Sequence, residues 1–267
     1  MNVINAVILG IVQGLTEFLP VSSSGHLVFL QKLFNIDEPG LFFDTMLHLG
    51  TLIAVFAVLW KDIWELLKKP FQRLTFFLIL ATIPAVIAAL TLKDAIEHIF
   101  DSAQFLGICF LITTILLITA ELLSGRAKNT GNLKNKDSMT WLYALIIGIM
   151  QACAIPPGIS RSGATISGAL FCKLDRDFAA RFSFLLSIPA ILGAVVLQAK
   201  DLAGESAAVI NIPSVIAGTL AAAAVGFFAV KFMLKIIKER SLYGFAVYTA
   251  VLGIFVIFDQ IVTRIVF

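Results

Sequence analysis

Six predominantly apolar runs, each close to 20 residues, dominate this sequence: Leu41 to Trp60, Leu74 to Leu92, Phe105 to Leu123, Phe178 to Leu197, Ile212 to Met233 and Tyr243 to Val262. About 20 apolar residues in a helix cross a hydrocarbon layer of about 30 Å. The runs do not alternate with a period of two, and a backbone in lipid must bond to itself, so helices are the spanning form they predict. With 59% hydrophobic and 14% charged residues, the chain has too little polar surface to clothe a water-soluble domain. It reads as an all-α integral membrane protein with membrane lipid, not nucleic acid, as its surroundings. The segment Met1-Asn2-Val3-Ile4 lacks the basic region and cleavage site of a signal peptide, so the first apolar segment is expected to stay in the mature chain. Cys109, Cys153 and Cys172 lie in apolar stretches without CxxC spacing and read as reduced packing residues.

The chain also repeats itself. Ser22-Ser23-Ser24-Gly25 and Ser160-Arg161-Ser162-Gly163 each begin nine residues after a glutamine, Gln13 or Gln151, and the copies stand 138 positions apart. Each half opens on an apolar run ending at proline, Val3 to Pro20 and Trp141 to Pro157. The serine motif follows, and then a short apolar piece, Gly25 to Phe34 or Gly163 to Leu174. At about 1.5 Å per residue these pieces reach about halfway across the core. Helix, break and half-helix is the pattern of a re-entrant hairpin, whose open backbone groups must line a polar cavity. Three spans follow each hairpin, and the odd number turns the second half upside down. The expected fold is two inverted-topology repeats, each a re-entrant helix hairpin plus three transmembrane helices. They form a single membrane domain, 1–267, with repeat one at about 1–123, a polar cytoplasmic linker at about 124–138 and repeat two at about 139–267.

Net charge, +3, says little here; the placement of Lys and Arg is the signal. Lys61, Lys68, Lys69 and Arg73 fall in one loop region, Arg126, Lys128, Lys134 and Lys136 in a second, Lys173, Arg176 and Arg181 in a third, and Lys231, Lys235, Lys238 and Arg240 in a fourth. These are fifteen of the 20 basic residues, all on one expected side, against Lys32, Lys93, Lys200 and Arg264 on the other. The positive-inside rule then puts both termini outside the cytoplasm. Asp94, Glu97, Asp101, Asp201 and Glu205 make the opposite loops acidic, which agrees.

The two copies differ in their reactive groups. The first carries Glu17 and His26 where the second has Ile155 and Ala164, and the second carries Arg161 where the first has Ser23. An intramembrane carboxylate is costly unless paired, ligated or hydrated, so Glu17 reads as functional. Gln13 lies one helical turn before it, and together they offer hard oxygens suited to Mg²⁺ or Ca²⁺, shared with substrate for want of a second fixed carboxylate nearby except Asp44. Ser22, Ser23 and Ser24, and Ser160, Ser162 and Thr165 around Gly163, are placed to cap half-helices whose free N–H groups point into the break. Two helix N-termini facing one cavity, with Arg161 beside them, suit phosphate. His26 is a candidate general acid or base. His48 and Asp44 rank below it as supporting or packing residues, and His98 has no evident role.

QGLTEFLPVSSSGH at 13 to 26 and PGISRSGATISGAL at 157 to 170 closely resemble the two signature segments of the bacterial undecaprenyl-diphosphate phosphatase family, also called the bacitracin-resistance protein family. FSFLLSIPA at 182 to 190 extends the likeness. The resemblance implies a multi-pass enzyme of the bacterial inner membrane that converts a polyprenyl diphosphate to the monophosphate and recycles the lipid carrier of cell-wall synthesis. It implies inverted repeats with re-entrant helices and a site facing the periplasm. Glu17, Ser23, His26 and Arg161 match the positions on which activity is thought to depend, and Ser160, Ser162 and Thr165 match the phosphate-binding segment. The first signature begins with Glu or Gln in the family, so Gln13 is within pattern but is a weaker metal ligand than a carboxylate.

Two nucleophiles fit this reading: Ser23, or a water activated by Glu17 or His26. Ser23 is favoured because it stands opposite Arg161 in the repeat. The rival reading is an inverted-repeat transporter or lipid flippase for an anionic substrate, with Glu17 and His26 as a proton relay. Whether the chain forms a homodimer is open at this level.

Overall fold

The structure, a computed structural model, describes residues 1–34, 36, 40–92, 99, 103–202 and 211–267, without the side chains of 40, 41 and 197–202. Among these the long elements are all helices: α1 (Val3–Thr16), α2 (Ser23–Leu33), α3 (Gly40–Val58), α4 (Trp60–Lys68), α5 (Arg73–Thr91) and α6 (Leu106–Asn129), then α7 (Trp141–Cys153), α8 (Arg161–Phe171), α9 (Arg176–Leu202), α10 (Ile212–Glu239) and α11 (Tyr243–Phe258). Five are long and apolar enough to cross a membrane: α5, α6, α9, α10, and α11 with its π-helical extension to Thr263.

The apolar run at 41 to 60 behaves differently from the other five. It ends in an 80° bend, after which α4 runs across the end of the molecule. The cause lies in α4's own residues. Lys61, Asp62, Glu65 and Lys68 alternate with Trp60, Ile63, Trp64 and Leu66, an amphipathic pattern suited to a surface and not to hydrocarbon on all sides. Trp60 and Trp64 stack with centroids 5.5 Å apart, and Lys68 Nζ lies 5.4 Å over the Trp64 ring. Counting α3 and α4 as one broken span raises the number to six.

The repeat seen in sequence recurs in the helices. α1 and α7 begin 138 residues apart, as do α2 and α8, which are 11 residues each. Their caps match too: Asn2 and Thr140 accept backbone N–H groups at the starts of α1 and α7, and Ser22 and Ser160 do so for α2 and α8. Small residues let helices touch in both halves. A Cβ on Gly10 of α1 would stand 2.2 Å from the Gly218 carbonyl oxygen of α10, and one on Gly148 of α7 would stand 2.5 Å from that of Ala81 in α5. α6 and α11 pair antiparallel, with Gly107 against Gly253 at one end and Thr114 Oγ1 2.9 Å from Thr249 Oγ1 further along.

The largest buried cluster joins Phe18 from the first break to Ile147, Ile166, Phe182 and Phe184 of the second half. Phe18 and Phe184 meet edge to face at 5.3 Å. All three cysteines are free; Cys109 and Cys172 are buried, and Cys153 is exposed.

The four basic loop regions meet at one end of the bundle. Arg181 bonds Asp62 at 2.9 Å and Asp177 at 3.3 Å, and Asp177 also holds Lys238 at 3.0 Å. Arg176 grips both Glu121 oxygens and the carbonyls of Ile237 and Arg240. Lys134 and Leu174 form a short parallel bridge. Of the residues expected on the opposite side, Lys93, Asp94, Glu97, His98, Asp101 and Glu205 lie outside the described residues, as do the side chains of Lys200 and Asp201.

Candidate active site

Each half breaks where its first helix ends, somewhat before the expected prolines. Thr16 folds its hydroxyl back onto the Val12 carbonyl, and Glu17 makes the last helical N–H bond of the turn, to Gln13 O at 3.0 Å. The chain then turns through Ser22, which stands at φ +70°. A left-handed conformation in a residue other than glycine costs about 1–3 kcal/mol and persists where its surroundings hold it. Here the Gly25 N–H donates to Ser22 Oγ at 3.3 Å, while the His26 N–H donates to Ser22 O and His26 Nδ1 lies 2.6 Å from the same oxygen. In the second break Gly158 takes φ +95°. Thr113 braces it, donating to Gly158 O and accepting from the Ser160 N–H, each at 2.9 Å.

The two breaks are bonded to each other. The Gly158 N–H donates to Ser22 Oγ at 3.1 Å, and Ser162 Oγ donates to Leu19 O at 2.9 Å. A Cβ on Gly25 would stand 2.9 Å from Gly158 Cα and 2.7 Å from Phe110 Cζ, so the contact has no room for a side chain.

The charged groups come together at this junction. Glu17, only 5% exposed, accepts from Ser23 Oγ at 2.6 Å and from Gln13 Nε2 at 2.9 Å on Oε2, and from Arg161 on Oε1. His48 Nδ1 from α3 lies 3.2 Å from Glu17 Oε2 and 2.8 Å from Gln13 Nε2. The pairing and the hydrogen bonds are what permit an ionised carboxylate at this depth. Gln13 Oε1 is buried and has no hydrogen-bond partner among the described residues.

A cavity of about 620 Å³ opens from this cluster. Its polar end is formed by Glu17, Ser22, Ser23, Ser24, Ser160 and Arg161, with His48 and Gln151 beside them. Its walls are apolar and come from α5, through Ala85, Val86 and Ala89, and from α9, through Pro189, Leu192 and Val196.

The sequence-derived candidates thus divide into two groups. Glu17, Ser22, Ser23, Ser24, Ser160 and Arg161 face the cavity, and Gln13 backs Glu17. His26, Ser162, Gly163 and Thr165 do not line it. His26 Nε2 lies 2.7 Å from Tyr248 OH, Ser162 ties the two breaks together, the Gly163 N–H caps onto Ser160, and Thr165 bonds Arg161 O and Ser183 Oγ. The imidazole that touches Glu17 is His48, not His26. Its contact depends on how α3 packs beside α1, which spacing along the chain does not reveal. Tyr248 and Thr113 carried no motif and were equally hidden.

The model of the family described as bacitracin resistance protein BacA matches this chain over residues 6–255. The chain is 49% identical over 257 residues to undecaprenyl-diphosphatase 4 of Bacillus thuringiensis strain Al Hakam, covering 96% of this chain and 97% of that one. It is 47% identical over 262 residues to an undecaprenyl-diphosphatase of Carboxydothermus hydrogenoformans, covering 97% and 98%. An undecaprenyl-diphosphatase of Methanosphaera stadtmanae is 42% identical over 284 residues, covering 98% and 99%. With the two signatures meeting at one buried junction and the likeness running through nearly the whole length, this chain belongs to the bacitracin resistance protein BacA family.

Proposed function

We infer that this protein is an undecaprenyl-diphosphate phosphatase, a membrane hydrolase that converts a polyprenyl diphosphate to the monophosphate and phosphate, and so recycles the lipid carrier of cell-wall synthesis. One observation carries the chemistry: an acid from one break and a cation from the other meet at the polar end of a cavity whose walls are apolar. A diphosphate head fits the first part and a prenyl tail the second. Burial of about 0.8 kcal/mol per methylene keeps such a tail in the bilayer, so entry must be sideways, and the α5–α9 wall offers apolar surface for it.

The same reading makes the halves inverted repeats whose α1–α2 and α7–α8 segments are re-entrant. A 14-residue α1 rises about 21 Å, short of the ~30 Å core. The matched helix starts and the antiparallel α6–α11 pair support it. The end where basic loops meet would face the cytoplasm, leaving both termini outside, as the positive-inside rule requires.

In the mechanism, Arg161 leaves Glu17 for the phosphate oxygens and takes up the charge that grows there. Glu17, freed of its partner, accepts the Ser23 proton across the existing 2.6 Å hydrogen bond. Ser23 Oγ bonds to the terminal phosphorus as the bridging P–O bond breaks, and the electron pair leaves on the polyprenyl monophosphate. Water then cleaves the phosphoserine, returning the proton to Ser23 and releasing phosphate. The capped N-termini of α2 and α8 hold the phosphoryl oxygens in place. Gln13 Oε1, a buried oxygen without a partner among the described residues, and Glu17 Oε1 are the hard oxygens that would hold Mg²⁺ or Ca²⁺ together with substrate. Such an ion, when bound, supplies further neutralisation of the diphosphate.

Detergent-purified protein should release phosphate from a prenyl diphosphate, and a chelator should slow that release. Ser23→Ala should lose turnover by about a thousandfold or more, the scale seen when a nucleophile is removed. Rapid quenching should trap phosphate on Ser23. Solvent oxygen in the product without any protein-bound phosphate would turn the mechanism to a water nucleophile, and absence of release would return the protein to a transporter role.

A further inference from the structure

Gln151 occupies in the second half the place that Gln13 holds in the first, yet its surroundings are the reverse. Gln13 Nε2 is engaged by Glu17 and His48. One turn after Gln151 the chain has Ile155 instead of an acid, and neither Nε2 nor Oε1 of Gln151 has a hydrogen-bond partner among the described residues. Only 3% of the residue is exposed. A buried amide with both ends unmade costs stability, and such groups are found where something else is meant to satisfy them.

The surroundings say what that is. Gln151 lines the same cavity as Ser23, Ser160 and Arg161, at the end of α7 just before the second break. The other residues lining this part of the cavity, Ala154, Ile155, Thr82 and Ala85, make no bond to its amide among the described residues. The cavity already holds a fixed cation and hydroxyl groups, so the missing partner is an anionic oxygen. A neutral amide adds two N–H donors to such an oxygen without altering the charge balance of the Glu17–Arg161 pair.

We propose that Gln151 is a substrate-binding residue that donates its side-chain amide to a phosphate oxygen of the diphosphate head. The duplication then has a division of labour: one glutamine positions the catalytic carboxylate, and its counterpart grips the substrate. This rests on the phosphatase reading of the cavity. Wild-type turnover tests that reading separately from the role of Gln151.

The test compares Gln151→Leu, Gln151→Asn and wild type in detergent. Leu is apolar and close in volume, so it removes the unpaired amide. It should raise the unfolding midpoint, because an unsatisfied polar group has gone. It should also raise KM for a prenyl diphosphate and the inhibition constant of inorganic diphosphate about tenfold to a hundredfold, the loss expected for one hydrogen bond to a charged group. The change in kcat should be smaller. Inorganic diphosphate should stabilise wild type against heat and Gln151→Leu much less, a readout independent of turnover. Gln151→Asn, with a shorter amide, should fall between the two. A variant that is less stable, with unchanged KM and unchanged protection by diphosphate, would assign Gln151 to packing and overturn the proposal. Should Gln151→Leu fail to fold, the Asn variant decides by the same KM and protection measurements.

Discussion

The Arg161 guanidinium donates to Glu17 across the junction of the two breaks, so the acid of one half and the cation of the other neutralise each other. Glu17 is nearly dry, with its side chain 3% exposed, while that of Arg161 is 19% exposed toward the cavity. Arg161→Met would strand a buried carboxylate, and breaking a pair in this way costs about 3–5 kcal/mol. Adding Glu17→Leu to it should restore most of the lost stability, since apolar replacement of both partners is often neutral. Neither variant should release phosphate. Denaturant unfolding of the two variants in detergent checks the stability, and a double variant as unstable as Arg161→Met would mean the pair is not the source of the loss.

His48 and His26 should separate by pH. Only His48 touches Glu17, so His48→Ala should lower kcat by about a hundredfold, the low end of acid–base contributions, and change the shape of the pH–rate profile. Tyr248→Phe removes the hydroxyl partner of His26 Nε2 and should cost a few-fold in rate, with the profile unchanged. A reshaped profile for Tyr248→Phe would bring His26 into the proton transfer after all.

Glycine at the junction can be tested against a neutral site. Gly25→Ala forces a Cβ into the Gly158 backbone and should destabilise by about 1–3 kcal/mol, the usual range for overpacking. Gly125→Ala in α6, where nothing among the described residues lies within 4 Å, should stabilise slightly through helix propensity. Thermal unfolding midpoints of the two variants give the comparison. Equal effects would show that the breaks are less tightly apposed.

At the basic end, two arginines should behave unequally. Arg181 shares its ion pairs with partners that are each about a third exposed, so Arg181→Ala should cost under about 1 kcal/mol. Arg176 ties Glu121, Ile237 O and Arg240 O together in a drier setting, and Glu121 also accepts the Leu242 N–H at 2.8 Å. Arg176→Ala should therefore cost about 3 kcal/mol or more by leaving Glu121 without its cation. High salt should weaken the effect at Arg181 more than that at Arg176.

Much of this is legible in the sequence alone. Apolar length announced the spanning helices, and the doubled serine motif announced both breaks, because chain direction and caps are local properties. Glu17 and Arg161 each stand out in the sequence, the acid by its cost in the membrane and the cation by its fit to phosphate, but their direct bond depends on how the two breaks meet. The bend after Val58 was missed because the apolar run continues through Leu59 and Trp60, and only the amphipathic pattern beyond it shows the change of medium. His48 and Tyr248 reach the breaks from α3 and α11, and such contacts depend on helix crossing, which no spacing encodes. His26 looked like the proton carrier by proximity along the chain, but its ring nitrogens face Ser22 O and Tyr248 OH.

The apposed breaks also bear on symmetry. Two copies of the present first half would confront one carboxylate with another and supply no guanidinium, while two copies of the second would oppose cation to cation. In the present chain the carboxylate comes from one half and the guanidinium from the other, so neither half by itself supplies the joined pair.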